Sequence, residues 1–139
     1  MSQTRYKLEL NNISLKLDSE EIISNLNLQV VENEIVSIVG ASASGKSSLL
    51  RTIAGFENIY SGRILINQKI VNSSTDSIPP EKRNVGIIFQ DLALFPHLTV
   101  MENIKFGLSG ISKNIQTERC NNLLNILNIE DIEDKFPHQ

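Results

Sequence analysis

The run Gly40-Ala-Ser-Ala-Ser-Gly45-Lys46-Ser47 holds the residue types and spacing that grip a polyphosphate. It matches the pattern Gly-x-x-x-x-Gly-Lys-[Ser/Thr] at every fixed position. Phosphate oxygens need several donors converging on a small volume, and backbone N–H groups supply them where side chains stay clear. Gly40 and Gly45 permit the tight turns and the close approach of backbone to anion. Ala41, Ser42, Ala43 and Ser44 form the cradle between them, and Ser48 follows it. Lys46 brings a mobile positive charge to the terminal phosphates. The Ser47 hydroxyl suits Mg²⁺, which takes oxygen ligands and keeps some of its waters. A helix starting here would point the positive end of its dipole at the anion.

Chance would produce such a match in a chain this long on the order of 0.5% of the time. The flanking elements argue against chance. Glu34-Ile-Val-Ser-Ile-Val39 reads as a buried strand, apolar and rich in β-branched residues. Leu49, Leu50, Ile53 and Ala54 then recur at helical spacing, and Gly55 suits the helix end. Strand, loop and helix are the setting the pattern requires.

The remaining elements are read the same way. Leu8, Leu10, Ile13, Leu15 and Leu17 alternate with polar residues, and Asp18-Ser-Glu-Glu21 breaks the run. Ile22 to Val31 resumes it, and Asn33 tolerates the left-handed turn that follows. Tyr60-Ser61-Gly62 turns into Arg63–Ile66, another hairpin arm, and Asn72 to Pro80 is loop. Val85–Phe89 predicts a second buried strand. Thr99-Val-Met-Glu102 is a capping box for a short helix ending at Gly107. Ile115–Leu127 predicts an amphipathic helix, and Ile129, Ile132 and Phe136 one last turn. The organisation is thus a β-rich part over 1–89 and a helical part over 90–139.

Composition bounds the class. The chain has 139 residues, 40% of them apolar, enough for one domain with a core. Its net charge is −3 and no basic run marks a nucleic-acid partner. No stretch is apolar enough to span a bilayer, and the start has no secretory pattern, which predicts a cytoplasmic protein. The one cysteine, Cys120, lies among Leu123, Leu124 and Leu127 at helical spacing and reads as a buried structural thiol.

A second landmark is Gln90, at the end of the Val85–Phe89 run. The stretch Asn84-Val-Gly-Ile-Ile-Phe-Gln90-Asp-Leu-Ala-Leu-Phe-Pro-His-Leu-Thr-Val-Met-Glu-Asn103 resembles the Q-loop region of the ATP-binding subunits of ABC transporters. Ser47-Ser-Leu-Leu-Arg-Thr-Ile-Ala-Gly55 and Ser61-Gly-Arg-Ile64 resemble that family too, so the likeness covers essentially the whole chain. It implies ATP and Mg²⁺ as cofactors, with Ser47 and Gln90 near the metal and Gln90 sensing the attacking water. A neutral amide can approach or leave a metal without a large charge cost, which suits a sensor. The likeness also implies a transmembrane permease docking on the Gln90–Leu98 region, where Leu92, Leu94, Phe95 and Leu98 would form a groove. A second ATP-binding subunit would complete a head-to-tail dimer. A periplasmic or extracellular binding protein would deliver solute, and the chain would sit at the cytoplasmic face of the membrane.

The sequence departs from the family at three places. Ala41 and Ala43 stand where the family's loop often has Pro and Gly, which predicts weaker phosphate binding. Leu17 falls where an aromatic side chain usually stacks on adenine; it covers a base face without π-stacking. Tyr6 falls too early for that role. The chain reaches Lys135-Phe-Pro-His-Gln139 without the Leu-Ser-Gly-Gly-Gln signature, the acidic Walker B strand or the switch histidine. Asp91 follows an apolar strand but lies just past Gln90 and matches the family's Q-loop instead of Walker B; Asp131 and Asp134 follow amphipathic helix, not buried strand, and His97 and His138 read as polar or packing residues.

The fold expected is therefore α/β: an ABC-type P-loop NTPase core, an antiparallel β subdomain and the beginning of a helical subdomain, truncated before the signature motif. The function expected of the parent protein is ATP hydrolysis coupled to solute import, with this stretch alone inactive. A non-catalytic nucleotide-binding module and a small phosphate-loop kinase are the alternatives. Ile78-Pro-Pro-Glu-Lys-Arg83 and Ala93-Leu-Phe-Pro-His97 resemble importers for ferric iron, polyamines or sulfate, with ferric iron favoured.

Overall fold

A computed structural model describes residues 5–91 and 93–139. The chain divides into two compact units, residues 1–87 and 88–139.

The first unit is built on an antiparallel sheet. Strands β1 (Tyr6–Leu17) and β2 (Glu20–Val31) form a long hairpin. Its turn is Asp18-Ser19, both at positive φ (46° and 74°), as the twist of a two-residue hairpin demands. Helix α1 (Lys46–Ala54) follows the phosphate-loop sequence. Strands β3 (Ser61–Ile66) and β4 (Lys69–Ser73) make a second hairpin through Asn67-Gln68, again both at positive φ. The strand order is β2-β1-β3-β4. Alternate residues of β1 and β3 face inward: Leu10 opposes Leu28 on β2 and Ile64 on β3, and Leu15 opposes Ile23. Leu10, Ile13, Leu15, Ile64, Ile66 and Val71 pack with Leu49 of α1 and Ile59 into one core. The sheet face thus seats the helix that carries the phosphate loop.

Arg83 fixes the other end of that helix. Its guanidinium is buried (3% exposed) and donates to the carbonyls of Thr52 at 2.7 Å and Ile53 at 3.1 Å, at the C-terminus of α1. It also donates to Ile78 O at 2.6 Å and Ser77 Oγ at 2.9 Å. Burial lowers the guanidinium below its usual range, since desolvation opposes the charge. The charge is offset by these acceptors and by the negative end of the helix dipole.

Two sequence expectations fail here. Glu34–Val39 is not a buried strand: no strand pairs with it among the described residues, and Ile35 and Val39 are 95% and 92% exposed. Val85–Phe89 is likewise not a strand, and Ile88 is 94% exposed. β-branched propensity favours extended backbone, but a strand needs a second strand beside it, and no described strand pairs with either segment. A third, smaller correction concerns Asn72 and Ser73. They end β4 instead of opening the loop, because Asn72 bridges to Ser77 and Ser73 N–H donates to Asp76 O.

The second unit is helical. Helix α2 (Val100–Phe106) opens with Thr99, whose hydroxyl accepts from the Glu102 N–H while the Glu102 carboxylate accepts from the Thr99 N–H. That is the capping box its sequence predicts. Helix α3 (Lys113–Leu127) starts two residues earlier than its apolar pattern suggests, with Ser112 at the N-cap. Its inner side is narrow. Cys120 and Leu124 are buried, but Leu123 and Leu127 are 42% and 56% exposed, so Cys120 is a buried thiol with one buried leucine beside it and not three. A 3₁₀ turn over Glu130–Ile132 follows, and just beyond it the Glu133 and Lys135 carbonyls accept from the Met101 and Val100 N–H groups.

Candidate functional site

The phosphate-loop geometry follows from two backbone reversals. Gly45 sits at the N-cap of α1 with φ 87°, and Ala43 stands two residues earlier with φ 62°. Positive φ at alternate positions turns successive N–H groups toward one side, the concavity that binds anions. A Cβ at Gly45 would lie 3.1 Å from Ile23 Cγ1, and one at Gly40 would lie 2.7 Å from Ser44 Oγ. Gly45 is therefore favoured by φ and by a tight contact, whereas a side chain at Gly40 would displace the Ser44 hydroxyl. Ala43 adopts the left-handed conformation with a methyl group, at a cost of about 1–2 kcal/mol.

Lys46 Nζ lies along the loop. It donates to the Gly40 and Ala41 carbonyls, the former at 2.9 Å, and stands 3.4 Å from Ser44 Oγ. Ser47 is exposed in the first turn of α1. The Leu49 N–H donates to Gly45 O at 2.8 Å, closing the first helical turn behind the loop.

One cavity of about 200 Å³ gathers Ala43, Ser44, Gly45, Lys46, Ser47 and Ser48 with Leu17 and Ile22. Leu17, at the end of β1, therefore shares a wall with the phosphate loop and is 55% exposed. Gly40, Ala41 and Ser42 shape the loop without lining the cavity. The donor set fits a nucleotide's phosphates: backbone N–H groups at a helix start, one ammonium and three hydroxyls, with no carboxylate in the lining. Ser47 offers the oxygen that Mg²⁺ would take.

Gln90 belongs to the second unit, where it is exposed. Leu92 lies outside the described residues. Leu94 is 51% exposed, Leu98 is half-buried, and the Phe95 ring meets Phe106 at 4.4 Å between centroids. Asn103 holds this segment: its Nδ2 donates to the carbonyls of Phe95, Leu98 and Thr99, and its Oδ1 accepts from the Phe95 N–H. Part of the apolar stretch after Gln90 thus packs within its own unit. His97 lies edge-on to Phe95, and His138 stacks on Phe136.

Three residues of the phosphate-loop unit escape a reading of the sequence. Ile22 lines the cavity and Ile23 backs Gly45, but both look like ordinary strand residues. Arg83 closes the far end of α1, and in sequence it is one of two adjacent cations, with Lys82, between a Pro-containing loop and an apolar run.

A turn of positive-φ residues, an ammonium folded over it and a helix springing from its end define a P-loop nucleotide-binding protein. The family model for the ABC transporter matches residues 23–139, and the chain belongs to that family. Among curated relatives, it is 42% identical over 135 residues to the spermidine/putrescine import ATP-binding protein PotA of Thermotoga maritima. It is 39% identical to the maltose/maltodextrin import ATP-binding protein MalK of Mannheimia succiniciproducens. It is 35% identical to the Fe(3+) ions import ATP-binding protein FbpC of Fusobacterium nucleatum. These alignments cover 94–96% of the chain but 34–36% of each relative, so the chain spans about a third of their length. The dimeric ATP-binding cassette MJ0796, solved in a post-hydrolysis state bound to ADP and Pi, superposes with a TM-score of 0.81 at 28% identity. That match covers 95% of this chain and 62% of the cassette. The fold is therefore the ABC-type α/β fold in part, and family membership sets aside the small-kinase alternative.

Proposed function

We propose that the chain is the phosphate-gripping part of an ATP-binding subunit that couples ATP binding and hydrolysis to solute import. The observation that carries this reading is the cavity in which Ala43–Ser48 converge at the start of α1. The loop N–H groups and Lys46 would hold the phosphates, Ser47 and Gln90 would take oxygen positions near Mg²⁺, and Leu17 would lie on the base side. Mg-ATP, when bound, supplies the phosphoanhydride whose cleavage drives transport. Lys46 brings its ammonium from the Gly40 and Ala41 carbonyls to the phosphate charge, an exchange of neutral acceptors for anionic ones.

The partners proposed are a permease on the Gln90–Leu98 region, a second ATP-binding subunit and, through the permease, a solute-binding protein. The subunit would be peripheral at the cytoplasmic membrane face; no helix of the described residues is long and apolar enough to cross a bilayer. On substrate, polyamine, maltose and iron importers lie at 42, 39 and 35% identity, so similarity does not choose among them or single out ferric iron. Import of a solute chosen by other subunits is the reading kept.

Hydrolysis needs a base as well as a grip. The cavity lining contains no carboxylate or imidazole, so this stretch alone should bind Mg-ATP without turning it over. An ATPase assay on the purified chain tests this. Background rates, equal in the wild type and Lys46→Ala, are expected. Steady turnover that Lys46→Ala abolishes would contradict it.

A further inference from the structure

Helix α1 is pinned to the sheet at both ends. At its start, Gly45 lies so close to β2 that an added Cβ would stand 3.1 Å from Ile23 Cγ1. At its end, the Arg83 guanidinium takes the Thr52 and Ile53 carbonyls of the last turn. Nine residues at 1.5 Å each make a rod of about 13 Å, too short to bend appreciably at a helix's usual curvature. A displacement at the Arg83 end therefore reaches the phosphate loop at the other.

Arg83 joins two separate segments. Besides the helix carbonyls, Nε donates to Ile78 O and Nη2 to Ser77 Oγ, in the loop that follows β4. That loop is itself fastened to β4, where the Ile78 N–H donates to Val71 O at 2.9 Å and Asn72 bridges to Ser77. The planar fork fixes direction as well as distance, so the helix end is referred to β4 through one rigid group. All four acceptors are neutral, and neither ion pair among the described residues includes Arg83. A buried cation balanced by dipoles alone is held to a narrow geometry, because any acceptor that moves away leaves a desolvated donor unpaired.

We infer that Arg83 is a positioning residue for phosphate binding. It holds α1 in the placement at which Gly40–Ser47 grips phosphates, and does so from the far end of the helix without touching the ligand. Linkage makes the effect reciprocal: phosphates bound at the start of α1 tighten the Arg83 loop at its end. The inference rests on the phosphate-binding role proposed above.

The test is isothermal titration of Mg-ATP and Mg-tripolyphosphate into the wild type, Arg83→Met and Arg83→Lys, at a temperature where circular dichroism shows each folded. Arg83→Met should bind both ligands about tenfold more weakly. Arg83→Lys, which still supplies a cation to the helix-end carbonyls, should recover to within about threefold of the wild type. Hydrogen exchange on the wild type gives a readout that a purely structural role would not move. Saturating Mg-ATP should slow exchange of the Ile78, Lys82 and Arg83 amides by about threefold or more; these bond to Val71, Pro79 and Pro80 carbonyls, within the 71–83 segment. If Arg83→Met does not fold, this measurement decides alone. An Arg83→Met affinity within twofold of the wild type would overturn the inference and leave the phosphate site standing. So would an Arg83→Lys protein as weak as Arg83→Met, or amides at 78, 82 and 83 indifferent to Mg-ATP. Failure of the folded wild type to bind either ligand would overturn the phosphate site and this inference together.

Discussion

Arg83 packs its guanidinium so closely on Gly55 that a Cβ at that glycine would stand 2.7 Å from Nε. Gly55 also ends α1 with φ 99°, its N–H donating to Arg51 and Thr52 carbonyls. The helix end is thus closed by a glycine that leaves room and a cation that fills it. Gly55→Ala meets both obstacles and should cost about 2–3 kcal/mol. Arg83→Met removes the donor from the buried Thr52 carbonyl and the part-buried Ile53 and Ile78 carbonyls and should cost about 3 kcal/mol. Urea denaturation followed by circular dichroism reads both. A loss below about 0.5 kcal/mol in either variant would remove this helix-end account.

Ala43 is strained where glycine would not be. Ala43→Gly should raise stability by about 0.5–1 kcal/mol, the relieved left-handed strain outweighing the added freedom of the unfolded chain. Phosphate affinity should rise with it. A destabilised Ala43→Gly protein in the same denaturation experiment would show that the φ of 62° is not costly.

Thr99 starts α2 through a reciprocal pair of hydrogen bonds with Glu102. Thr99→Ala should cost about 1 kcal/mol, and Thr99→Ser should restore most of it. Hydrogen exchange at the amides of residues 100–103 localises the effect. Unchanged protection in Thr99→Ala would contradict the role of the cap.

Ile35 and Val39 present exposed apolar, β-favouring side chains on a segment that no described strand pairs with. Such an edge invites pairing with a second copy. Sedimentation velocity should show concentration-dependent association of the wild type. The double variant Ile35→Lys, Val39→Lys should shift it to monomer with stability changed by no more than about 0.5 kcal/mol. A wild type that stays monomeric across the concentration range would refute this.

Much of the site was legible because its constraints are local. The phosphate loop is set by glycines and a lysine at fixed spacing, and the helix after it by apolar periodicity and Gly55. The capping box at Thr99 is equally local. What failed were segments whose state depends on distant partners. Glu34–Val39 and Val85–Phe89 have strand-like composition, but a strand's hydrogen bonds lie on another segment, which composition does not reveal. Arg83 was missed for the same reason: the carbonyls of Thr52 and Ile53 that it serves lie about 30 residues away in sequence. Leu17 was placed by family likeness and then found on the wall of the same cavity as the loop.

The central claim is that Gly40–Ser47 grips nucleotide phosphates, and titration of Mg-ATP into the purified chain tests it most directly. The account predicts weak, saturable binding at one site per chain, lost by tenfold or more in Lys46→Ala with stability unchanged. Binding that is indifferent to Lys46→Ala, or no saturable binding by the folded wild type, would contradict it.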